Sequence, residues 1–273
     1  MNYLNIACGN IYITDNKWTN IDFTTNSPDI KKADLLKGLP FKDKSFDVVY
    51  SSHFIEHIPK DQVNYFLAEC YRVLKPKGVI RLITPDLEFL SKEYINHNEL
   101  NDFEKSNLVS ELLFDQCVRL NSGGNLARLI NKIKNSDNNE LKNYTMRLLG
   151  NDIFYEVYTD NSHPIIKIVN RLKQDPKIIF NIISMIWIRT IVALLPKSFR
   201  NTNVSLASIG EKHMWVYDFS CLSKYLEAAN FSSTSKSSFE TTIFREYIFK
   251  DLDAKNALPR KGSHQLFIEA IKN

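Results

Sequence analysis

The chain has 273 residues, of which 44% are hydrophobic and 24% charged, an ordinary globular composition that excludes a mainly disordered protein. Thirty-five Lys and Arg against 31 Asp and Glu leave a net charge of +4, too small by itself to mark a nucleic-acid binder. Cys8, Cys70, Cys117 and Cys221 share no short spacing, so neither a disulfide framework nor a cysteine zinc site is expected, and a reducing cytoplasm fits.

The start, MNYLNIACGN, has no basic or long apolar stretch, so no signal peptide is expected. Asn2–Ala7 is a short apolar run ending in Cys8-Gly9-Asn10, and Thr19–Phe23 is a second. A short extended segment precedes Asp34-Leu35. Phe46–Ser52 (FDVVYSS) is almost continuously apolar, as a strand buried on both faces would be. From Asp61 to Leu74 the apolar residues Val63, Phe66, Leu67, Cys70, Val73 and Leu74 recur at helical spacing, and Lys75-Pro76-Lys77-Gly78 stops the helix. Val79–Thr84 is another strand. Strands alternating with helices predict an α/β, doubly wound, mostly parallel sheet.

Residues 93–210 break this pattern with several helical segments and a polar turn at Asn135–Asn139. A helix over Ser220–Ala229, a strand over Phe231–Phe239, a polar connection over 240–262 and a last strand over His264–Ile271 then resume it. The expected organisation is therefore a core of residues 1–92 and 211–273, with 93–210 as a mainly helical insertion after strand five. Insertions at this edge of an open sheet commonly cover the ligand crevice, which suggests a substrate cap or docking element.

Small residues after strand one, Ala7-Cys8-Gly9, let a ligand approach the backbone. A carboxylate ending strand two, Asp22, suits two ribose hydroxyls, and Asp34 with Leu35 suits the edge and face of a purine. A dinucleotide dehydrogenase is disfavoured because GxGxxG is absent, and GxxxxGK[ST] is absent too. His53-Phe54-Ile55-Glu56-His57 matches HxxEH, a metallopeptidase pattern whose two imidazoles would share a helix face. It follows a buried strand at once, so Glu56 and His57 are expected to open the next helix and bond locally, and no metal ligand is assigned.

With LNIACGN, TNIDF, ADLLKGLPFKDKSFDVVYSSHFIEHI and RVLKPKG before VIRLITPD, the first 85 residues resemble class I S-adenosylmethionine-dependent methyltransferases. They are particularly similar to small bacterial methyltransferases of surface-polysaccharide synthesis, which carry an LPF…SFD…SH..EH string; KHMWVYDFSCLSKYLEAANF is similar to the segment before strand six in that group. The resemblance implies a Rossmann-like seven-stranded sheet and S-adenosylmethionine as cofactor. It implies Ala7, Cys8, Gly9, Asp22, Phe23, Asp34, Leu35 and Ser51 as cofactor-binding residues. Two departures stand out. Ala7 occupies a position where the family's turn usually has glycine, and only thirteen positions separate Gly9 from Asp22, so the first crossover helix must be short or missing.

In the family the transferred methyl group lies over the end of strand four, where His53 sits. A neutral hydroxyl is a poor nucleophile, and a histidine near its ordinary pKa of about 6.5 suits the removal of its proton. His213 and His57 are further catalytic candidates. Asp86, Trp215 and Tyr217 are candidate acceptor contacts, with Asp86 also able to cap a helix; Arg260 and His264 are lesser candidates. The expected activity is O-methylation of a sugar hydroxyl in a surface glycan or its precursor. A degenerate methyltransferase fold acting as a binding module, and an HxxEH zinc peptidase, are the competing readings.

Between Ile178 and Leu195, 14 of 18 residues are apolar, and residues 164–200 hold seven Lys/Arg against Asp175 alone, a net +6. The stretch is too short and polar to span a bilayer. It reads either as peripheral contact with an anionic membrane, at the inner face of the membrane of the cell, or as a buried cap helix or oligomer interface. A nucleic-acid partner is not expected.

Overall fold

A computed structural model describes residues 1–25, 27–156, 178–205, 207 and 210–273. The main sheet has seven strands: β1 (Tyr3–Ile6), β2 (Trp18–Asp22), β3 (Ile30–Lys32), β4 (Phe46–Ser52), β5 (Leu74–Pro85), β6 (Phe231–Ser237) and β9 (Gln265–Lys272). Their order is β3-β2-β1-β4-β5-β9-β6. The first five are parallel, and β9 inserts antiparallel between β5 and β6. This is a doubly wound, Rossmann-like architecture. The strand order reverses between β1 and β4, and ligands of such sheets bind at the carboxyl ends beside that reversal.

Side-chain alternation sorts the strands onto two cores. Leu4, Ile6, Ile21, Val49, Ile80, Leu82 and Ile268 join Val63, Phe66, Leu67, Cys70 and Val73 of α1 (Val63–Val73) and Leu222 and Leu226 of a helix over Phe219–Ala228. On the other face Tyr3, Trp18, Val48, Tyr50 and Ile83 meet Phe249, Leu252 and Phe267. The helix expected over 61–74 thus forms, and the strand after it starts at Leu74, earlier than Val79.

No helix lies between β1 and β2. Residues 11–13 instead run over the sheet face that carries Tyr3 and Trp18, held by buried amides: Asn5 Nδ2 donates to the Ile11 carbonyl (3.1 Å) and Asn20 Nδ2 to that of Ile13 (3.0 Å). The face that a first helix would cover is taken by residues 239–253, which reach it from the far end of the chain. The connection expected to be merely polar therefore carries Phe249 and Leu252 into the core, plus a short hairpin, β7 (Ala254–Lys255) with β8 (Leu258–Pro259).

Helices begin directly after β5, at Leu87 and not 93, because Asp86 caps the first of them. α2 (Leu87–Glu99), α3 (Phe103–Val118), α4 (Gly124–Lys134) and α5 (Asn139–Leu149) share a separate core of Leu90, Leu108, Leu112, Leu126, Ile130, Leu141 and Leu148. Asn138 caps α5, accepting from the Leu141 amide at 3.0 Å, as the polar turn suggested.

Arg81, in the middle of β5, has no exposed surface. It donates to Asp253 Oδ2 (2.6 and 3.0 Å), Glu269 Oε1 (2.6 Å), the Ser237 hydroxyl and the Ser238 and Thr241 carbonyls. Tyr50 donates to the other oxygen of Asp253 at 2.8 Å. Removing one partner strands a buried charge, at a cost of about 3–5 kcal/mol. Urea unfolding of Asp253→Ala should show a loss of that size; a change below about 1 kcal/mol would show the network to be dispensable.

Candidate functional site

Gly9 and Asn10 emerge after β1 and are exposed. Ala7 turns the chain there with φ +54°, a left-handed conformation that glycine adopts freely and alanine at a cost of about 1–2 kcal/mol. The glycine the resemblance leads one to expect at this position is thus conformationally apt. Cys8 continues the β1–β2 pairing through its amide, to the Ile21 carbonyl at 3.2 Å, and burial pushes its thiol up to about 12, so it holds its proton at neutral pH.

Asp22 lies next to this turn. Its Oδ2 accepts from the Gly9 amide and its Oδ1 from the Thr24 amide, both at 2.9 Å. Each oxygen keeps a further lone pair. The Ala33 amide donates to the Asp22 carbonyl at 2.9 Å, which sets Asp34 beside it at the end of β3. A hydrogen bond from Lys37 holds the Asp34 carboxyl below its ordinary range. Phe23 is exposed at the same edge.

Two expected cofactor contacts are placed differently. Leu35 is buried in the core with Leu4 and Ile21, because the chain turns inward after Asp34. Ser51 is also buried, and its hydroxyl donates to the Ile6 carbonyl at 3.2 Å, tying β4 to β1.

At the end of β4, His53 again takes a left-handed backbone, φ +52°, while its amide still donates to Ile83 of β5 at 2.8 Å. Only a short 3-10 turn, Ile55–His57, follows. HxxEH therefore does not lie on a helix, and its two imidazoles diverge around Glu56 instead of sharing a face. His53 Nδ1 lies 3.2 Å from Glu56 Oε1, and its Nε2 lies 3.2 Å from Gln265 Oε1 of β9. Gln265 Nε2 donates to the Gly262 carbonyl at 3.0 Å, which turns its Oε1 toward His53. An imidazolium at His53 would thus have an oxygen acceptor on each side.

Glu56 has no exposed surface. Its Oε2 accepts from the Thr84 hydroxyl at 3.2 Å. Burial alone would raise its carboxyl, but His53, His57 and His213 outweigh burial and hold it down at about 2. His213 is buried against it, and that burial pushes its imidazole down to about 4. The His57 and His213 rings meet edge to face, 4.8 Å between centroids. The Met214 and Trp215 amides donate to the Glu56 carbonyl at 2.7 and 3.2 Å, and the His213 amide to Gln116 of α3 at 2.9 Å. Among the described residues, Glu56, His57 and His213 form a group with ligand-capable atoms all within 4.8 Å of one another.

The acceptor candidates separate. Trp215 stays at the surface with the Lys60 ammonium 3.7 Å over its ring. Tyr217 is wholly buried in the main core, so it has no free face for a sugar. Asp86 spends Oδ1 on the Glu88 and Phe89 amides, at 3.0 and 3.3 Å, as the cap of α2. Arg260 donates to the Asp251, Leu252 and Ala254 carbonyls and serves the chain around 250–254. Two members of the constellation were not among the residues expected to act: Glu56 was expected only to bond locally, and Gln265 was not singled out. Glu56 stood in plain view between two histidines, whereas Gln265, far along the chain, carried no signal.

His264 packs beside His53, 6.0 Å between rings, and its Nδ1 donates to the Leu148 carbonyl at 2.7 Å. Burial pushes its imidazole down to about 3. The unfolded chain takes up this proton below about pH 6.5 and the folded chain only near 3, so stability falls as pH drops through that window. The slope from this group approaches 1.4 kcal/mol per pH unit. Urea unfolding at pH 7 and pH 5 should therefore differ by about 2 kcal/mol less in His264→Gln than in the wild type. An identical difference would place the titration elsewhere.

A family model for a methyltransferase domain matches residues 4–82. A protein of Mycolicibacterium smegmatis described as a probable S-adenosylmethionine-dependent methyltransferase is 45% identical over 58 residues, 21% of this chain and 21% of that protein. An uncharacterized protein of Haemophilus influenzae is 34% identical over 65 residues, 24% of this chain and 25% of that protein. The chain thus spans a quarter or less of the length of these curated relatives. Among solved structures, an S-adenosylmethionine-dependent methyltransferase of Thermotoga maritima aligns with 100% of this chain and 82% of its own, at 13% identity and a TM-score of 0.40. One from Methanosarcina mazei aligns with 35% of this chain and 59% of its own, at 22% identity and a TM-score of 0.27.

The strand ends of residues 4–82, which match the methyltransferase-domain model, fit S-adenosylmethionine. The turn is open at Gly9, where an added Cβ would meet nothing within 4 Å, and the Asp22 carboxylate stands beside it with lone pairs to spare.

Proposed function

We propose that the protein transfers a methyl group from S-adenosylmethionine to a hydroxyl oxygen, on a sugar of a surface glycan or its precursor. The observation that carries the oxygen-directed reading is the His53–Glu56 pair at the end of β4. Asp22 takes the ribose hydroxyls, fixed in orientation by the Gly9 and Thr24 amides, and Asp34 meets the adenine edge. When bound, the cofactor supplies its methyl group on a sulfonium, an electrophile that a hydroxyl attacks well only as its proton leaves. His53 takes that proton at Nε2 once the acceptor hydroxyl displaces Gln265 Oε1 from it, and the ionised Glu56 on the Nδ1 side stabilises the imidazolium. The sugar acceptor rests on the resemblance of the LPF…SFD…SH..EH string and on the exposed Trp215 ring beside the site.

Calorimetry with S-adenosylhomocysteine tests the cofactor half. Losing a charged acceptor costs about 1.5–3 kcal/mol, so Asp22→Ala should bind roughly ten- to hundredfold more weakly. His53→Ala should keep wild-type cofactor affinity and lose about 10²–10⁴ in turnover. Wild-type protein that does not bind S-adenosylhomocysteine would overturn the enzyme reading. Binding with no methylated product would favour the binding-module reading, and an active His53→Ala would return that residue to packing.

The proposal extends to where the protein works. Among the described residues no helix is long and apolar enough to cross a membrane. Yet the helix Ile178–Leu194 exposes Ile183, Ile186, Ile188, Ile191, Trp187 (68% exposed) and Leu194 (81%), so the expected buried cap helix is not what these residues form. No acid occurs between Pro176 and Gly210, while Arg189, Lys197 and Arg200 flank the apolar surface. The remaining basic candidates, Lys167, Arg171, Lys173 and Lys177, lie outside the described residues. An apolar face ringed by cations complements an anionic bilayer surface. Vesicles containing anionic lipid should sediment the protein, less so as salt rises, and the double variant Trp187→Ser, Ile188→Ser should stay in solution with its melting temperature and cofactor affinity unchanged. A wild-type protein that ignores such vesicles, or a dimer lost in the same variant, would assign the face to a second copy.

A further inference from the structure

We propose that Glu56, His57 and His213 form a binding site for a divalent cation of the zinc type at the carboxyl end of β4. Ligand-capable atoms of the three lie within 4.8 Å of one another. Zinc holds nitrogen and oxygen at about 2.0–2.2 Å in a tetrahedron, so two ligands of one ion stand about 3.4 Å apart. A contraction of up to about 1.4 Å, within the reach of side-chain rotation of two imidazole rings, closes the group on an ion. One carboxylate and two imidazoles are a donor set that selects zinc or a neighbouring first-row ion over magnesium, which prefers oxygen alone.

The surroundings prepare these groups as ligands. His57 Nδ1 donates to the Lys212 carbonyl at 2.9 Å, which fixes the tautomer and leaves the lone pair on Nε2. His213 is more than nine-tenths buried. Glu56 is wholly buried, with one oxygen on Thr84 and the other 3.2 Å from His53 Nδ1 without an aligned hydrogen bond. A buried acceptor with unused capacity is costly unless something fills it. The Met214 and Trp215 amides clamp onto the Glu56 carbonyl, so the two distant segments are held in register before any ion arrives.

This is not the arrangement that HxxEH implies on a helix. There both histidines of the motif bind the metal; here His53 is turned to Gln265, and its place is taken by His213 from beyond the helical segment. Three protein ligands leave coordination positions open for an oxygen of the acceptor, adjacent to His53. That last role rests on the methyl-transfer reading, whereas cation binding does not.

The test is calorimetric titration of the full chain, stripped with chelator, with zinc chloride alone and with magnesium chloride alone, alongside a separate titration with S-adenosylhomocysteine. One zinc per chain is expected, with magnesium binding at least tenfold more weakly. His213→Ala should weaken zinc binding at least tenfold, and so should His57→Gln, which keeps a side chain able to donate to Lys212. Melting curves without metal check that each variant is folded. Both variants should bind S-adenosylhomocysteine as the wild type does. No saturable zinc binding by the wild type, or folded variants that both bind zinc as well as the wild type, would overturn the site. If S-adenosylhomocysteine binds and zinc does not, this inference falls and the methyltransferase reading stands; the reverse result separates them the other way.

Discussion

A carboxylate with no contact with water needs charge or hydrogen bonds around it, and Glu56 obtains both from parts of the chain that share no local sequence. His53 and His57 are near neighbours, but Thr84 comes from β5 and His213 from beyond the helical segment. The need to surround this one ionised group fixes how the end of β4, the end of β5 and the segment returning from the helices meet. Because the 213–215 backbone is bonded to Glu56 and to Gln116 of α3, it also fixes how the helical segment joins the sheet. Position and chemistry are therefore not separable here: the group that orders the crevice is also the one that gives His53 a partner.

The parallel half of the fold was legible because it obeys simple periodicities. FDVVYSS is almost continuously apolar since β4 is covered on both faces, and Val63, Phe66, Leu67 and Cys70 mark the buried stripe of α1. The missing first helix was also legible, from the short interval between Gly9 and Asp22. What replaces it was not. Phe249 and Leu252 sit in a segment without regular periodicity, and their partners Tyr3, Trp18 and Tyr50 lie at the opposite end of the chain. Nor does local pattern reveal that Arg81, one polar residue in VIRLIT, finds Asp253 and Glu269.

Within the candidate site the sequence placed its motifs at strand ends but did not give the direction of every side chain. Asp22 and Gly9 stand as the motif order implied. Tyr217, Leu35 and Ser51 were read as ligand contacts too, yet Tyr217 and Leu35 are buried in the main core and the Ser51 hydroxyl is spent on the Ile6 carbonyl. HxxEH was read through helical spacing, whereas a left-handed residue at His53 ends β4 and leaves room for one 3-10 turn only. Backbone conformation at a single position thus decided which pairs of histidines meet.

The aromatic face of the sheet has a consequence for how the protein is made. Tyr3, Trp18, Val48 and Tyr50 leave the ribosome early, but their cover, Phe249, Leu252 and Phe267, and the acid that binds the Tyr50 hydroxyl come late. The segment that matches a methyltransferase domain, residues 4–82, is consequently not a unit that can close its own core during synthesis. Its β-strands must wait with an aromatic surface uncovered, a state prone to association, until the carboxyl-terminal residues arrive. A fragment ending before residue 249 would keep the cofactor motifs and lack the lid of one core, so it should be recovered as aggregate, and chaperone dependence in the cell would follow from topology alone.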